Sequence, residues 1–427
     1  MQNNGLLKSA KAKRLYKKYV KDLPIIDFHN HLSPEDLAKD RKYENITQLW
    51  IAQDPYKHRL MRICGVEENR ITGTASDYEK FSAFASVFPS LAGTPVFDWA
   101  KMELSFLFGI KEPLNEKSAE RIWKKTKKML AGDDFSHNNI LKRFSIAYQS
   151  PVVKLCDDLS YFTSPETAPS LRGDDLLLPN KDLYQALESQ TGISVTGEDS
   201  YLEAVKKRLD LFSEKGCRFA DHALDADFFE EDGEKKEKML CLLAKEYAAR
   251  GFTLLLHLDA KRKTSKRLLN LAGPAGGYAA VGGSFPISRV IDLLGKMEAE
   301  EALPDTVLFP LNLSDMPSLA VAQGSFSQDL VSSKVQLGPA WWWCDHAFGI
   351  RYALDCISSF GVLSRFIGMT TDSRNVLSFV RHDYFRQILT SYIAEKSERE
   401  NWGLKESELG EILRRICFEN AKEKIGF

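Results

Sequence analysis

Short β-rich apolar runs alternate along the chain with longer stretches whose apolar positions return at helical spacing. The first run ends at His29. The others are Phe144–Gln149, Thr167–Leu171, Cys217–His222, Phe252–His257, Val307–Leu311, Lys334–Leu337 and Phe366–Thr371. Runs this short suit the buried strands of a parallel sheet. Eight strand–helix units predict an α/β fold, a (β/α)8 TIM-type barrel closed by right-handed crossovers.

The runs are unevenly spaced. More than a hundred residues, 33–143, separate the first from the second and read as helical. Lys117–Leu130 among them is amphipathic, with Ile122, Met129 and Leu130 among its apolar positions. So much chain hanging from one strand end predicts a helical cap over the barrel mouth. The barrel would then comprise residues 1–32 and 144–427, and the cap residues 33–143. Asp174–Asp199 reads as surface loop plus helix, and Phe228–Lys238 as a solvated helix start. The basic opening, Lys8–Lys21, reads as a helix packed on the barrel bottom. Gly273–Gly277 and Gly282–Gly283 fit neither phosphate-cradling motif and read as a long active-site loop after the fifth strand.

The first run, Pro24-Ile25-Ile26-Asp27-Phe28-His29-Asn30-His31-Leu32, carries two histidines at i and i+2. Extended backbone puts such a pair on one face. The 8 histidines of the 427 residues would give only about 0.15 such pairs by chance. In a barrel of this kind catalytic groups sit at the carboxyl ends of strands. Asp221 and His222, His257, and Asp372 with Arg374 join His29 and His31 in that position. Two imidazoles and one carboxylate would leave a divalent ion with positions open to oxygen ligands of a substrate. Asp372 suits a metal ligand or a general base. Arg374 suits a bidentate grip on a carboxylate, which points to an acidic substrate.

Charge narrows the partners. With 58 basic and 59 acidic residues the net charge is −1, which gives nucleic acid no basic face to bind. No apolar run approaches the ~18 residues of a membrane span. The seven cysteines are odd in number and lack CxxC spacing, as expected for reduced thiols in the cytoplasm.

Asp27-Phe28-His29-Asn30-His31-Leu32 after an apolar strand resembles the first-strand signature of the amidohydrolase superfamily. Tyr56-Lys57-His58-Arg59-Leu60-Met61-Arg62, Asp221–Asp225, Trp341-Trp342, Thr371-Asp372-Ser373-Arg374, Arg381-His382 and Asn420-Ala421 follow in the order found in uronate isomerases. The resemblance implies interconversion of an aldouronate and a ketouronate by proton transfer from C2 to C1. It implies one divalent ion, expected to be zinc, on His29, His31 and Asp372. Tyr56 and Asp372 would handle protons, with Arg374 in the catalytic set. Arg172, Arg59, Arg62, His222 and His257 would meet the substrate, and Trp341 or Trp342 would wall the pocket. A small acidic sugar as ligand and a homo-oligomeric assembly are also expected.

The chain departs from the family in its substrate-facing loops. Gln149-Ser150-Pro151-Val152 stands where Thr-Asp-Asp-Pro is usual, and Asp98-Trp99 where His-Trp is usual. Asp259-Ala260-Lys261-Arg262, Lys263-Thr264 and Ala279–Gly283 also differ. Two rivals follow: a hydrolase of the sugar-lactonase type, with His222 and His257 both on the metal, and a homologue that keeps the metal site without uronate turnover.

Overall fold

The computed structural model describes residues 5–274, 276–283 and 285–426. Seven parallel strands form one sheet in chain order: β1 (Ile25–Asn30), β2 (Ile146–Lys154), β3 (Ser170–Arg172), β4 (Phe219–Leu224), β5 (Thr253–Leu258), β6 (Thr306–Pro310) and β7 (Val335–Leu337). In a flat sheet β1 and β4 would lie about 14 Å apart. Yet the rings of Phe28 and Phe219 are 5.5 Å apart, and those of His29 on β1 and His257 on β5 are 4.8 Å apart. The sheet is therefore curled into a half-barrel, consistent with a TIM-type barrel.

The expected eighth strand does not form a ladder. Residues 366–371 run beside β1, but Gly368 takes φ +91° and interrupts the extended backbone. A Cβ there would stand 2.2 Å from the carbonyl oxygen of Ile416, so only glycine fits. Side chains replace the missing ladder partners. Ile367 donates its N–H to Gln336 Oε1 (2.9 Å), and the His29 N–H goes to Thr370 Oγ1 (2.8 Å). Two backbone bonds then tie the segment to β1, Asp372 N to His29 O (3.1 Å) and His31 N to Ser373 O (2.8 Å).

Every regular element between β1 and β2 among the described residues is helical, with seven α-helices. The amphipathic stretch forms Glu116–Leu130, begun by a capping box of Asn115 and Ser118. Pro55–Ile63 is opened by Asp54, whose carboxylate accepts the N–H groups of Tyr56 and Lys57, with Pro55 at the first helical position. The basic opening becomes the helix Ala10–Leu15 continued to Val20, packed against the helices Val380–Arg399 and Glu406–Arg414. Val380–Arg399 is buried on every side over most of its length, as a central helix must be. No helix among the described residues is long and apolar enough to cross a membrane. All seven cysteines are unpaired.

The acid of the first strand joins these parts. Asp27 is fully buried and accepts from Thr371 N (2.6 Å), Thr371 Oγ1 (2.9 Å) and Asn30 Nδ2 (2.8 Å). A fourth donor is His382 Nε2 on the Val380–Arg399 helix, at 3.0 Å. Burial opposes the charged carboxylate, but His382, Asn30 and Thr371 outweigh it and hold Asp27 below its ordinary range. Asp27→Ala strands these buried donors and should destabilise the fold by about 3–5 kcal/mol, read by denaturant unfolding. A loss under about 1 kcal/mol would show the clasp to be dispensable.

Candidate active site

The strand ends converge on one point. His29 Nε2 and His31 Nε2 approach the same carboxylate oxygen, Asp372 Oδ1, at 3.4 and 3.0 Å. One ligand atom from each of the three lies within 4.8 Å of the others. A tetrahedral ion with bonds of about 2.1 Å separates its ligands by about 3.4 Å, so the spacing suits an ion shared between them. Desolvation pushes the His31 imidazole down to about 4, leaving a lone pair available at neutral pH. Burial disfavours the Asp372 anion, but hydrogen bonds and charge from His29 and His31 hold it well below its usual range.

Asp372 reaches this point by an unusual backbone. Its φ is +49°, a left-handed conformation that costs an L-residue on the order of 1–3 kcal/mol and recurs at functional sites. The Asp372 N–H bond to His29 O fixes it from behind, and Trp341 Nε1 donates to Asp372 Oδ2 at 2.7 Å. Trp341 also packs on His257, with ring centroids 4.6 Å apart.

A second buried cluster supports the first. Arg172 and Asp221 are paired across β3 and β4, and Arg172 Nη1 bonds Asp221 Oδ2. His257 Nδ1 bonds Asp221 Oδ1 at 2.5 Å, so both carboxylate oxygens are used. This fixes the tautomer and aim of His257, leaving its Nε2 buried without a partner among the described residues. His29, Asp221 and His257 also bring ligand atoms within 4.8 Å of one another. A buried imidazole nitrogen without a partner among the described residues, as at His257 Nε2, is what a divalent ion or polar ligand would satisfy.

These groups open on a cavity of about 640 Å³, inside the ~300–1,000 Å³ range of small-molecule sites. Its wall carries five Lys or Arg and three Asp residues, although the whole chain is slightly acidic. Arg172 is tied to Asp221 and Asp174, and Arg262 to Asp225. Arg374 and Lys263 form no ion pair among the described residues. Tyr56, Trp341 and Trp342 line the cavity as well. Burial pushes the Tyr56 phenol well above its ordinary value, so it stays protonated at neutral pH.

Three expected substrate contacts have other partners. His222 points away from the cavity, its Nε2 2.9 Å from the hydroxyl of Tyr247, because neighbouring strand residues face opposite ways and Asp221 takes the inner face. Arg59 and Arg62 are not in the cavity wall. Arg59 Nη1 bonds Ala279 O at 3.3 Å, while Arg62 pairs with Glu68 and bonds Gly276 O. Both therefore hold the loop after β5, which also packs so tightly that a Cβ on Gly277 (φ +78°) would meet Pro55 O at 2.2 Å. The remaining expected residues, Tyr56, Arg172, His257, Trp341, Trp342 and Arg374, line the cavity with the three candidate ligands. Sequence reasoning gave no role to Asp27 or to Arg381. Arg381 is fully buried behind Tyr56, and only its place in the Arg381-His382 motif signals it. Of the positions expected to depart from the family, Val152, Lys263 and Ala279 line this cavity.

A family model described as glucuronate isomerase matches residues 1–425. A uronate isomerase of Caldanaerobacter subterraneus subsp. tengcongensis is 37% identical, with 100% of this chain and 99% of the relative covered. A uronate isomerase of Bacillus subtilis is 36% identical, with 100% and 98% covered. The crystal structure of a uronate isomerase from Thermotoga maritima superposes with a TM-score of 0.90 at 26% identity, covering 100% of this chain and 99% of that one.

Removing a group that merely orients a metal ligand costs about 10–100-fold in affinity. His31→Ala should therefore weaken divalent-ion binding by at least about 100-fold, measured by competition with a chelating indicator. Unchanged affinity would mean that the ion sits elsewhere.

Proposed function

The chain belongs to the glucuronate (uronate) isomerase family, and on that footing we propose that it interconverts an aldohexuronate and its ketohexuronate. The pairs are D-glucuronate with D-fructuronate, or D-galacturonate with D-tagaturonate. The observation that carries this reading is the opening of His29, His31 and Asp372 onto the same cavity as the unpaired Arg374. We further infer a complete (β/α)8 barrel closed by residues 366–371, with residues 33–143 as its cap, acting as a homo-oligomer.

His29, His31 and Asp372 would hold one divalent ion, zinc in this reading, given their two nitrogen donors and one oxygen donor. When bound, the ion supplies Lewis-acid polarisation of the sugar's C1 and C2 oxygens.

The chain's own groups do the rest. Isomerisation carries the C2 proton to C1 and the O2 hydroxyl proton to O1, so it needs no external redox partner. Asp372, held anionic, can accept a proton from the sugar. Tyr56, held protonated, can donate to an oxygen that gains negative charge. Arg374 takes the C6 carboxylate, since it forms no ion pair of its own among the described residues. Arg172 already serves Asp221 and Asp174 and contributes mainly positive charge to the wall. Trp341 and Trp342 give the sugar flat apolar faces.

The hydrolase rival called for His222 and His257 together on the ion. The bond between His222 and Tyr247 weighs against it.

Metal-replete protein is expected to convert D-glucuronate, D-galacturonate or both into the ketouronate, and a chelator should abolish this. No conversion of either sugar with the ion bound would sink the isomerase reading and favour a homologue without uronate turnover. Asp372→Asn should lower turnover by about 10²–10⁴-fold while leaving the unfolding midpoint near wild type. Arg374→Met, which loses one charge-assisted bond, should raise KM by about 10–100-fold with a smaller effect on kcat. An unchanged KM would remove Arg374 from carboxylate recognition.

A further inference from the structure

Behind Tyr56 lies a buried ion pair that no step above uses. Arg381, on the Val380–Arg399 helix, is only 2% exposed, and its Nη1 bonds Asp345 Oδ2 at 2.9 Å. The same nitrogen lies 3.5 Å from the Tyr56 hydroxyl, and Nη2 bonds the carbonyl of Thr371, next to Asp372 in the chain. The guanidinium also sits over two rings, 5.2 Å from the centroid of Tyr56 and 4.8 Å from that of Trp99. Trp99 and Trp343 both meet the Tyr56 ring edge-on at 5.5 Å. The Tyr56 N–H is held by Asp54 at 3.0 Å, and Asp54 is tied in turn to the buried Lys57.

We propose that Arg381, oriented by Asp345, is a positioning residue: it holds the Tyr56 hydroxyl over the cavity and ties the Pro55–Ile63 helix to the segment bearing Asp372. The proposal rests on the isomerase reading only for its kinetic consequence.

Three properties of the pair suit this task. A guanidinium is always charged and presents several donors in a fixed plane, so one side chain can address a carboxylate, a carbonyl and a phenol at once. Burial makes each of these bonds stronger than in water and leaves no solvent to replace them. Its charge is the counterweight at Tyr56. Burial and the carboxylates of Asp345 and Asp372 push the phenol's acidity down, and Arg381 pulls it back up. An ion pair of this cost, with Arg381 Nε buried and unpartnered among the described residues besides, is not what stability alone selects.

The test uses Asp345→Asn, Arg381→Lys and Tyr56→Phe, singly and with each of the first two combined with Tyr56→Phe, in the full metal-replete chain. Asp345→Asn keeps the shape of the site and guards against misfolding of the arginine variant. Both single changes should lower kcat about tenfold for the hexuronate that the wild type converts, with KM changed less than about twofold. Each should cost clearly less in the Tyr56→Phe background, the remainder reflecting the tie to the segment bearing Asp372. An equal loss in that background would show that Arg381 does not act through Tyr56. Labelling with 3-fluorotyrosine gives a readout independent of turnover: the fluorine resonance of residue 56, assigned by Tyr56→Phe, should move in both variants. An unmoved resonance overturns the positioning role even if no hexuronate is converted, whereas a moved resonance without turnover upholds it and fails only the isomerase reading.

Discussion

One buried carboxylate decides where the chemistry can happen. Asp27 lies two residues before His29 and binds Thr371, the residue before Asp372, by both its backbone N–H and its hydroxyl. The same carboxylate takes a bond from His382 on the central helix. Residues 370–373 lie against β1 here, and a regular backbone ladder between the two is absent because Gly368 turns the chain. A charge buried this deeply is tolerable only when all its acceptor sites are filled. That demand fixes the register of the last segment against β1 and brings Asp372 to both imidazoles.

Around this fixed point the polar groups are layered. His29, His31 and Asp372 face the cavity, Asp221 aims His257 at it, and Arg172 neutralises Asp221. Trp341 holds the outer oxygen of Asp372. The helices between β1 and β2 contribute Tyr56, and the loop after β5 contributes Gly277 and Ala279, pinned by Arg59 and Arg62. The cationic excess of the wall is local. It suits a small anion although the chain as a whole repels none strongly.

Much of this was legible in the sequence, and the misses have physical causes. Seven of eight strands were visible because parallel strands are short, apolar and bounded. The eighth was visible as a run but not as a ladder, since a positive φ at Gly368 and side-chain substitutes for backbone bonds leave no periodic trace. His29, His31 and Asp372 stood out by spacing and by position at strand ends. Asp221 and His222 are adjacent, and only the strand's facing decides which one enters the barrel. Arg59 and Arg62 were visible as charges, but no local pattern distinguishes an arginine that grips a ligand from one that grips a carbonyl. Asp27 and Arg381 each act through a partner more than three hundred residues away in the chain, Thr371 and Tyr56.

The account stands or falls on whether turnover depends on one ion held by His29, His31 and Asp372. The direct measurement is a titration of metal-stripped protein with zinc, following bound ion and hexuronate isomerisation together. The two should rise in proportion and saturate at about one ion per chain, and in His31→Ala both should need about 100-fold more zinc or more. Turnover that is already complete before any ion binds would contradict the account.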